Sequence, residues 1–372
     1  MAYNHLRNWR FLGACIPWRI AAASRLWKGE GAPVQFAIEN ADWAIRWVGE
    51  HICKEINIFE PGSLEVTVSP ERLSNRIVHF GSQYMWLDWG VHMPRGNKFV
   101  TSFFHGKRED GPDVSEHIDR FLQSVPKLST IVTAAGLVER RLLSWGVPRE
   151  KLIRIPIGVD TEAFNIPSPE EKRDARNRFG ISPERVVVGS FQKDGIGWGD
   201  GEEPKFIKGP DILVSSLAKL KQLGVPVTAF LTGPARGYVK KELTRLGVPF
   251  VHTYIKNHSE LSNCYHALDI YFVTSREEGG PMGLMESMAS GVPVVSTYVG
   301  MAPDLIADGL TGGLVESEDG CEIAAKAMQL LDRTKQDNFI QTEARKAVLH
   351  ADWPTVAREH WLKVYKPLLN DG

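Results

Sequence analysis

Cysteine is scarce in this chain, neither charge is in excess and no apolar run is long; each shortage removes a class of function. Its 372 residues include only 4 cysteines, Cys15, Cys53, Cys264 and Cys321, widely separated and without a Cys-x-x-Cys pair. Such spacing offers no structural zinc site, and a reducing cytosol is the expected home. Lys and Arg total 44 against 45 Asp and Glu, a formal net charge of −1. Proteins that grip nucleic acid by its phosphates carry a basic excess, so no nucleic-acid partner is expected. No apolar stretch approaches the roughly 18 residues that span a bilayer. The short run 11–16 is broken by Pro17 and Arg19, unlike an export signal. Asp-x-Asp is also missing, so no metal ligands and no cofactor are expected.

What is present is an ordinary globular balance, 43% hydrophobic and 24% charged, in a chain long enough for two or three domains. Between residues 185 and 350, short β-branched runs alternate with amphipathic stretches. The spacing predicts strands at 186–190, 227–232, 270–274 and 292–296, with helices at 210–223, 259–267, 284–289 and 321–331. In the first of these helices Leu213, Leu217 and Leu220 share one face, and Gly224 is the stop signal. The first half reads similarly, with strands at 34–39, 64–69, 76–80, 98–104, 130–133 and 153–157 and helices at 43–56, 115–122 and 137–145. Strand–helix alternation implies parallel sheets covered on both faces, an α/β class with two Rossmann-like doubly wound domains facing a central cleft. The highly charged stretch near 160–183 reads as the link and hinge between them. The expected division is an N-terminal domain over 1–165, a C-terminal domain over 166–352 and a closing helix over 353–372, with Val356, His360 and Tyr365 near one stripe.

The most informative segment is Ser275-Arg-Glu-Glu-Gly-Gly-Pro-Met-Gly-Leu-Met-Glu286. It follows an apolar strand, passes Gly279, Gly280 and Gly283, and opens a helix with Pro281 at or just before its first turn. Backbone N–H groups at a helix start form an anion seat, and glycines let a ligand approach closely. Glu278 and Glu286 flank that seat. Phosphate would repel them, so they fit better as acceptors for neighbouring hydroxyls. A phosphate seat with hydroxyl acceptors on either side points to a nucleotide-diphosphate sugar.

The spacing Glu278-x7-Glu286, Ala289-Ser-Gly291-Val-Pro293 and Asp308-Gly309-Leu-Thr-Gly312 resembles the donor domain of the retaining GT-B glycosyltransferases called glycosyl transferases group 1, or family 4. Lys208-Gly209, Leu231-Thr-Gly233-Pro and Arg154-Ile-Pro-Ile-Gly158-Val-Asp160 match the same family. The resemblance covers about 150–350 and thins before that to Thr101-Ser-Phe-Phe-His105-Gly106. It implies a GT-B fold with an N-terminal acceptor domain, a C-terminal donor domain and a last helix returning to the first domain. It also implies transfer, with retention of configuration, of a sugar from a UDP or GDP sugar to a glycan, glycolipid or small-molecule hydroxyl, and the missing Asp-x-Asp makes that transfer metal-independent. By the same resemblance Lys208 neutralises the diphosphate and Glu286 holds the ribose hydroxyls. Glu278 holds those of the transferred sugar, the backbone of Gly280, Pro281, Met282, Gly283 and Leu284 lines the donor, and Tyr254 and Ile255 meet the base. Gly189, Ser190, Gly233 and Gly279 belong to the same donor site, and His105 reaches the donor sugar from the other domain.

One departure stands out. The family usually has an arginine where this chain has Ser190, and the stretch 191–203 that follows is long and rich in glycine. Lys193 is expected to supply the missing charge. His79, Tyr84 and Trp86 are candidates for the acceptor side, against the alternative that they are core residues. Residues 1–30 carry Arg7, Arg10, Arg19, Arg25 and Lys28 against Glu30, interleaved with Trp9, Phe11, Trp18 and Trp27. That composition suits peripheral contact with an anionic membrane on the cytoplasmic face, or an arm folded on its own domain. Two other functions fit the same motifs: a sugar-nucleotide epimerase or hydrolase, and a binding protein without turnover.

Overall fold

A computed structural model describes Ile16 and residues 31–40, 44–93, 96–197, 199–255, 258–316 and 318–370. They fall into two compact units. One holds the described residues up to Gly158 together with 353–370, the other Val159–Asp352. The basic, aromatic stretch 1–30 lies, save for Ile16, outside the described residues.

In the first unit, β1 (Val34–Ala37), β2 (Leu64–Thr67), β3 (Ile77–Phe80), β4 (Lys98–Ser102), β5 (Thr130–Thr133) and β6 (Leu152–Arg154) form a six-stranded sheet in the order β2-β1-β3-β4-β5-β6. Every pair is parallel. β1, β3 and β5 are buried along their whole length, as a sheet covered by helices on both faces requires. The closing segment belongs to this unit. Helix Trp353–Glu359 continues through one wider π-helical segment, His360–Tyr365, into Lys366–Asn370. Gly158 makes room for it, since a Cβ there would sit 2.2 Å from the Trp353 ring. Trp353 in turn packs edge-on against Trp47 at 5.2 Å. His79 Nδ1 lies 2.7 Å from the Tyr365 hydroxyl, and Lys98 Nζ donates to the Leu368 carbonyl at 2.6 Å.

The second unit repeats the plan. β7 (Val186–Ser190), β8 (Val227–Thr232), β9 (Phe250–Thr253), β10 (Ile270–Val273), β11 (Val294–Thr297) and β12 (Gly313–Val315) run parallel in the order β12-β11-β10-β7-β8-β9. Helix Pro210–Gln222 buries Leu213, Leu217 and Leu220 completely, packed in one core with Ile323, Ala327 and Leu330 of helix Gly320–Thr334. Strands β9 and β12 escape the sequence pattern because they are the two edges of the sheet. β9 is only half-buried and carries no continuous apolar run.

The charged stretch near 160–183 is not a link. Pro169–Arg178 is a helix of the second unit, opened by a capping box in which the Ser168 side chain accepts from Glu171 N and Glu171 accepts from Ser168 N. Arg176 Nη2 and Lys172 Nζ both reach Asp269, at 2.5 and 2.9 Å, and the same carboxylate accepts from Val187 N at 2.8 Å. The high charge reflects a solvated helix face around one nearly buried arginine. The chain instead passes between units at Gly158–Val159 and Asp352–Trp353.

Two outcomes are expected. Leu217→Ala should destabilise the second unit by about 2–5 kcal/mol, lowering the urea midpoint without altering the denaturant slope. In the first unit, burial holds His79 well below its ordinary pKa, His360 at about 3 and His117 at about 4. These imidazoles stay neutral when folded, while the unfolded chain takes up protons as pH falls through about 6.5. Stability is therefore lost on acidification, by about 2 kcal/mol each for His117 and His360 at pH 5. Urea midpoints at pH 5 and 7 test this, and His117→Gln should flatten the dependence.

Candidate functional site

In a doubly wound sheet, ligands gather at the carboxyl ends of the strands where the strand order reverses. In the second unit that place is between β7 and β10, which pair through Val188↔Ile270 and Gly189↔Tyr271. Gly189 serves this pairing rather than a ligand, since a Cβ would come within 2.3 Å of Leu268. After β7 the chain returns to the crevice in a short turn, Phe206–Lys208, and Gly209 leads into helix Pro210–Gln222. Gly209 is left-handed, φ 61°, and a Cβ there would stand 1.7 Å from the Thr274 carbonyl oxygen at the end of β10. No other residue fits such a contact. The turn carrying Lys208 thus rests directly on the loop that carries Glu278.

This contact brings Lys208 Nζ to 2.5 Å from Glu278 Oε1, which also accepts from Ser275 Oγ at 2.8 Å. Gln192 Nε2 donates to the Lys208 carbonyl at 2.8 Å. Glu278 is nearly buried, yet Lys208 keeps 24% of its side chain exposed. Arg276 fastens the same loop, with both terminal nitrogens on Asp211 at 2.8 and 2.7 Å and Nε on Glu318 at 2.6 Å. Gly300, at φ 51°, supports it from below, where a Cβ would lie 2.9 Å from the Gly279 carbonyl.

Helix Met282–Ala289 starts beside this pair, with Pro281 as its N-cap and no side-chain cap. The Leu284 amide is used internally by the Pro281 carbonyl and its side chain is core, so Leu284 offers no ligand contact. Gly283 owes its identity to packing, because a Cβ would meet the Tyr271 hydroxyl at 2.2 Å. Glu286, on the same helix, is buried at 4% exposure and held on both oxygens. Tyr265 OH donates to Oε2 at 2.8 Å and His258 Nε2 lies 2.9 Å from Oε1. Burial, then the Glu286 charge, push the Tyr265 phenol well above its usual pKa, so it remains a donor. Gly233, at φ 82°, ends β8, and its carbonyl pairs with His252 Nε2 at 2.8 Å. Tyr254, 60% exposed, and Ile255 follow β9. These residues share the carboxyl edge of the sheet with Lys208, Glu278 and Glu286.

Ser190 is a different matter. It is buried, its carbonyl accepts from Arg236 Nη1 at 2.6 Å, and its hydroxyl lies 3.4 Å from Nη2. Its expected donor contact is therefore replaced by a structural one. Two residues escaped the sequence reading. Arg236 is one. Lys205 is the other, an exposed residue within electrostatic reach of Lys208, Lys193 and Glu278; partial desolvation first, then the Lys208 charge, lower its pKa. The signal was the spacing Lys205-x-x-Lys208, which eclipses side chains in a 3₁₀ turn. Among the described residues, no group of three or more His, Cys, Asp or Glu side chains forms a metal site.

In the first unit, His105 follows β4, its carbonyl accepting from Gln83 Nε2 at 3.0 Å. The Tyr84 ring lies 6.4 Å from the His105 ring and stacks on His117 at 4.2 Å. His79 and Trp86 are corrected to core residues. His79 is fully buried between Tyr365 and Ser102, and Trp86 is fully buried with Nε1 donating to Ser124 Oγ at 2.7 Å. Neither ring has a surface left for an acceptor. No helix among the described residues is long and apolar enough to cross a membrane.

Residues 204–347, within the second unit, match the family described as Glycosyl transferases group 1. The lipopolysaccharide core biosynthesis mannosyltransferase LpsB of Rhizobium meliloti is 28% identical over 244 residues, 59% of this chain and 64% of its own length. A D-inositol 3-phosphate glycosyltransferase of Segniliparus rotundus is 29% identical over 348 residues, covering 87% of this chain and 73% of that protein. The match spans less than two thirds of several such relatives, 58% for the Stackebrandtia nassauensis D-inositol 3-phosphate glycosyltransferase. Among solved structures, Anabaena Alr3699/HepE in complex with UDP-glucose superposes with a TM-score of 0.72 at 18% identity, over 91% of this chain and 99% of that one. WaaG, a glycosyltransferase involved in lipopolysaccharide biosynthesis, gives 0.63 at 14% identity, over 89% and 99%. These structures share the fold, GT-B with two Rossmann-like domains. Through its second unit, the chain thus resembles the glycosyl transferases group 1, whose model it matches over residues 204–347.

Proposed function

We propose that this protein is a glycosyltransferase that moves a sugar from a nucleoside-diphosphate sugar to an acceptor hydroxyl, with retention of configuration and without a metal ion. The observation that carries this is the Lys208–Glu278 pair, held at the β7/β10 reversal beside an uncapped helix start. Breaking the sugar–phosphate bond builds negative charge on the diphosphate and positive charge on the sugar ring. A site accelerates the step by placing donors in advance where the negative charge grows. Lys208 and the N–H groups of Met282 and Gly283 do this on the phosphate side. Glu286, already accepting from Tyr265 and His258, takes the ribose hydroxyls, and Glu278 takes those of the sugar.

The leaving diphosphate oxygen receives the proton from the attacking hydroxyl, so neither carboxylate acts as a nucleophile. For His105, which follows β4, the family resemblance supports a part in transfer. A uridine donor is supported by the structures of Anabaena HepE in complex with UDP and glucose and with UDP-glucose. The named relatives act in lipopolysaccharide core biosynthesis, on D-inositol 3-phosphate, or as the sulfoquinovosyl transferase SQD2 of Arabidopsis thaliana. The acceptor class here is accordingly a glycan, a glycolipid or a small polyol. Work on the cytoplasmic face of a membrane suits such acceptors.

Three results are expected. Lys208→Met and Glu286→Ala should each weaken binding of UDP or GDP sugars about tenfold or more by calorimetry; unchanged affinity in both would reject their roles. His105→Ala should leave that affinity within about twofold and slow transfer about a hundredfold. Transfer should persist in excess EDTA, and mass analysis of the products should show a new glycoside. A free sugar or an epimerised donor as the sole product would overturn the assignment to transfer.

A further inference from the structure

The glycine-rich stretch after β7 has a defined fold whose purpose the functional reading leaves open. Gly195 bridges Pro204 in antiparallel fashion, Ile196 N donates to the Glu203 carbonyl at 2.9 Å, and Lys205 N donates to the Asp194 carbonyl at 2.7 Å. Lys193 and Lys205 therefore stand on either side of the neck of one closed loop. The loop is seated on the turn after β8. A Cβ on Gly201 would lie 2.4 Å from the backbone of Ala235, and Ala235 itself is left-handed at φ 56°. The loop carbonyls of Asp200 and Gly201 accept from Gly237 N and Tyr238 N at 2.6 and 2.9 Å. They thereby satisfy the first amides of helix Gly237–Arg245.

Beneath the neck lies an ion pair, Asp194 Oδ2 to Arg236 Nη2 at 3.0 Å, with both side chains fully buried. Buried pairs add little net stability but define one geometry, since either charge left alone would be severely penalised. Arg236 also grips the end of β7 through the Ser190 carbonyl. Its guanidinium has no exposed surface, so it cannot touch a ligand; it acts through what it holds. What it holds is the neck that brings Lys193 and Lys205 next to Lys208. Three lysines near one carboxylate leave a net charge of +2, which matches a diphosphate better than a monoanion.

We propose that Asp194–Arg236 is a positioning pair, and that it presents Lys205, with Lys193 behind it, as a second cationic contact for the donor diphosphate beside Lys208. This rests on the donor-binding reading of the same crevice. The ratio of UMP to UDP dissociation constants, measured by calorimetry, is the test, with GDP and GMP used if the wild type prefers guanine. Lys205→Met should weaken UDP about tenfold and UMP less than twofold, collapsing the ratio. Asp194→Asn with Arg236→Met removes both buried charges together and should collapse the ratio likewise. Gly201→Ala dislodges the loop from Ala235 while keeping both charged side chains and should do the same, which decides the matter if the double variant does not fold. Melting temperatures identify folded variants. A wild-type ratio in Lys205→Met, or in a folded Gly201→Ala, overturns the proposal. Failure of the wild type to bind either diphosphate would instead overturn the donor-site reading itself.

Discussion

The close contact of Gly209 with the Thr274 carbonyl governs the second unit's crevice. It fixes the distance between the loops that leave β7 and β10, and so decides that a lysine from one meets a carboxylate from the other. A side chain of even one carbon at this position would part the two strand ends. Everything proposed for the site follows from that spacing: a cation for phosphate, acidic acceptors for hydroxyls, and a helix start open between them.

Charge in this unit is arranged in two layers. Asp194–Arg236 is sealed from solvent, and its purpose is geometric. Lys208–Glu278 has one side open, so its lysine can exchange a carboxylate partner for an anion without leaving a bare buried charge. Arg276, clamped by Asp211 and Glu318, restrains the outer rim. Rigid support with exchangeable charge is the arrangement that preorganised electrostatic stabilisation calls for.

Much of this was legible in the chain itself. The buried strands β7, β8, β10 and β11 announce themselves as β-branched runs, and Leu213, Leu217 and Leu220 fall on one helix face as their spacing predicts. The junction 275–286 also reads directly, because a strand, a glycine turn and a helix start are local patterns. Edge strand β9 was hidden by its half-exposed composition and β12 by its length of only three residues. The helix Pro169–Arg178 looked like a linker because its anchors, Arg176 and Asp269, lie far apart in sequence. His79 and Trp86 carried ambiguous signals: an aromatic or imidazole after a strand suits a ligand surface or a core equally, and burial alone separates them.

Local order along the chain determined the class of fold, the position of the glycine turn after β10 and the identity of its two acidic residues, since these depend on neighbours a few positions away. Tertiary structure decided which glycines serve packing rather than ligands, that Ser190 is consumed by Arg236, and that Lys205 joins Lys208. Those outcomes depend on side chains brought together across dozens of residues, where burial and pairing, not spacing, set what each group is free to do.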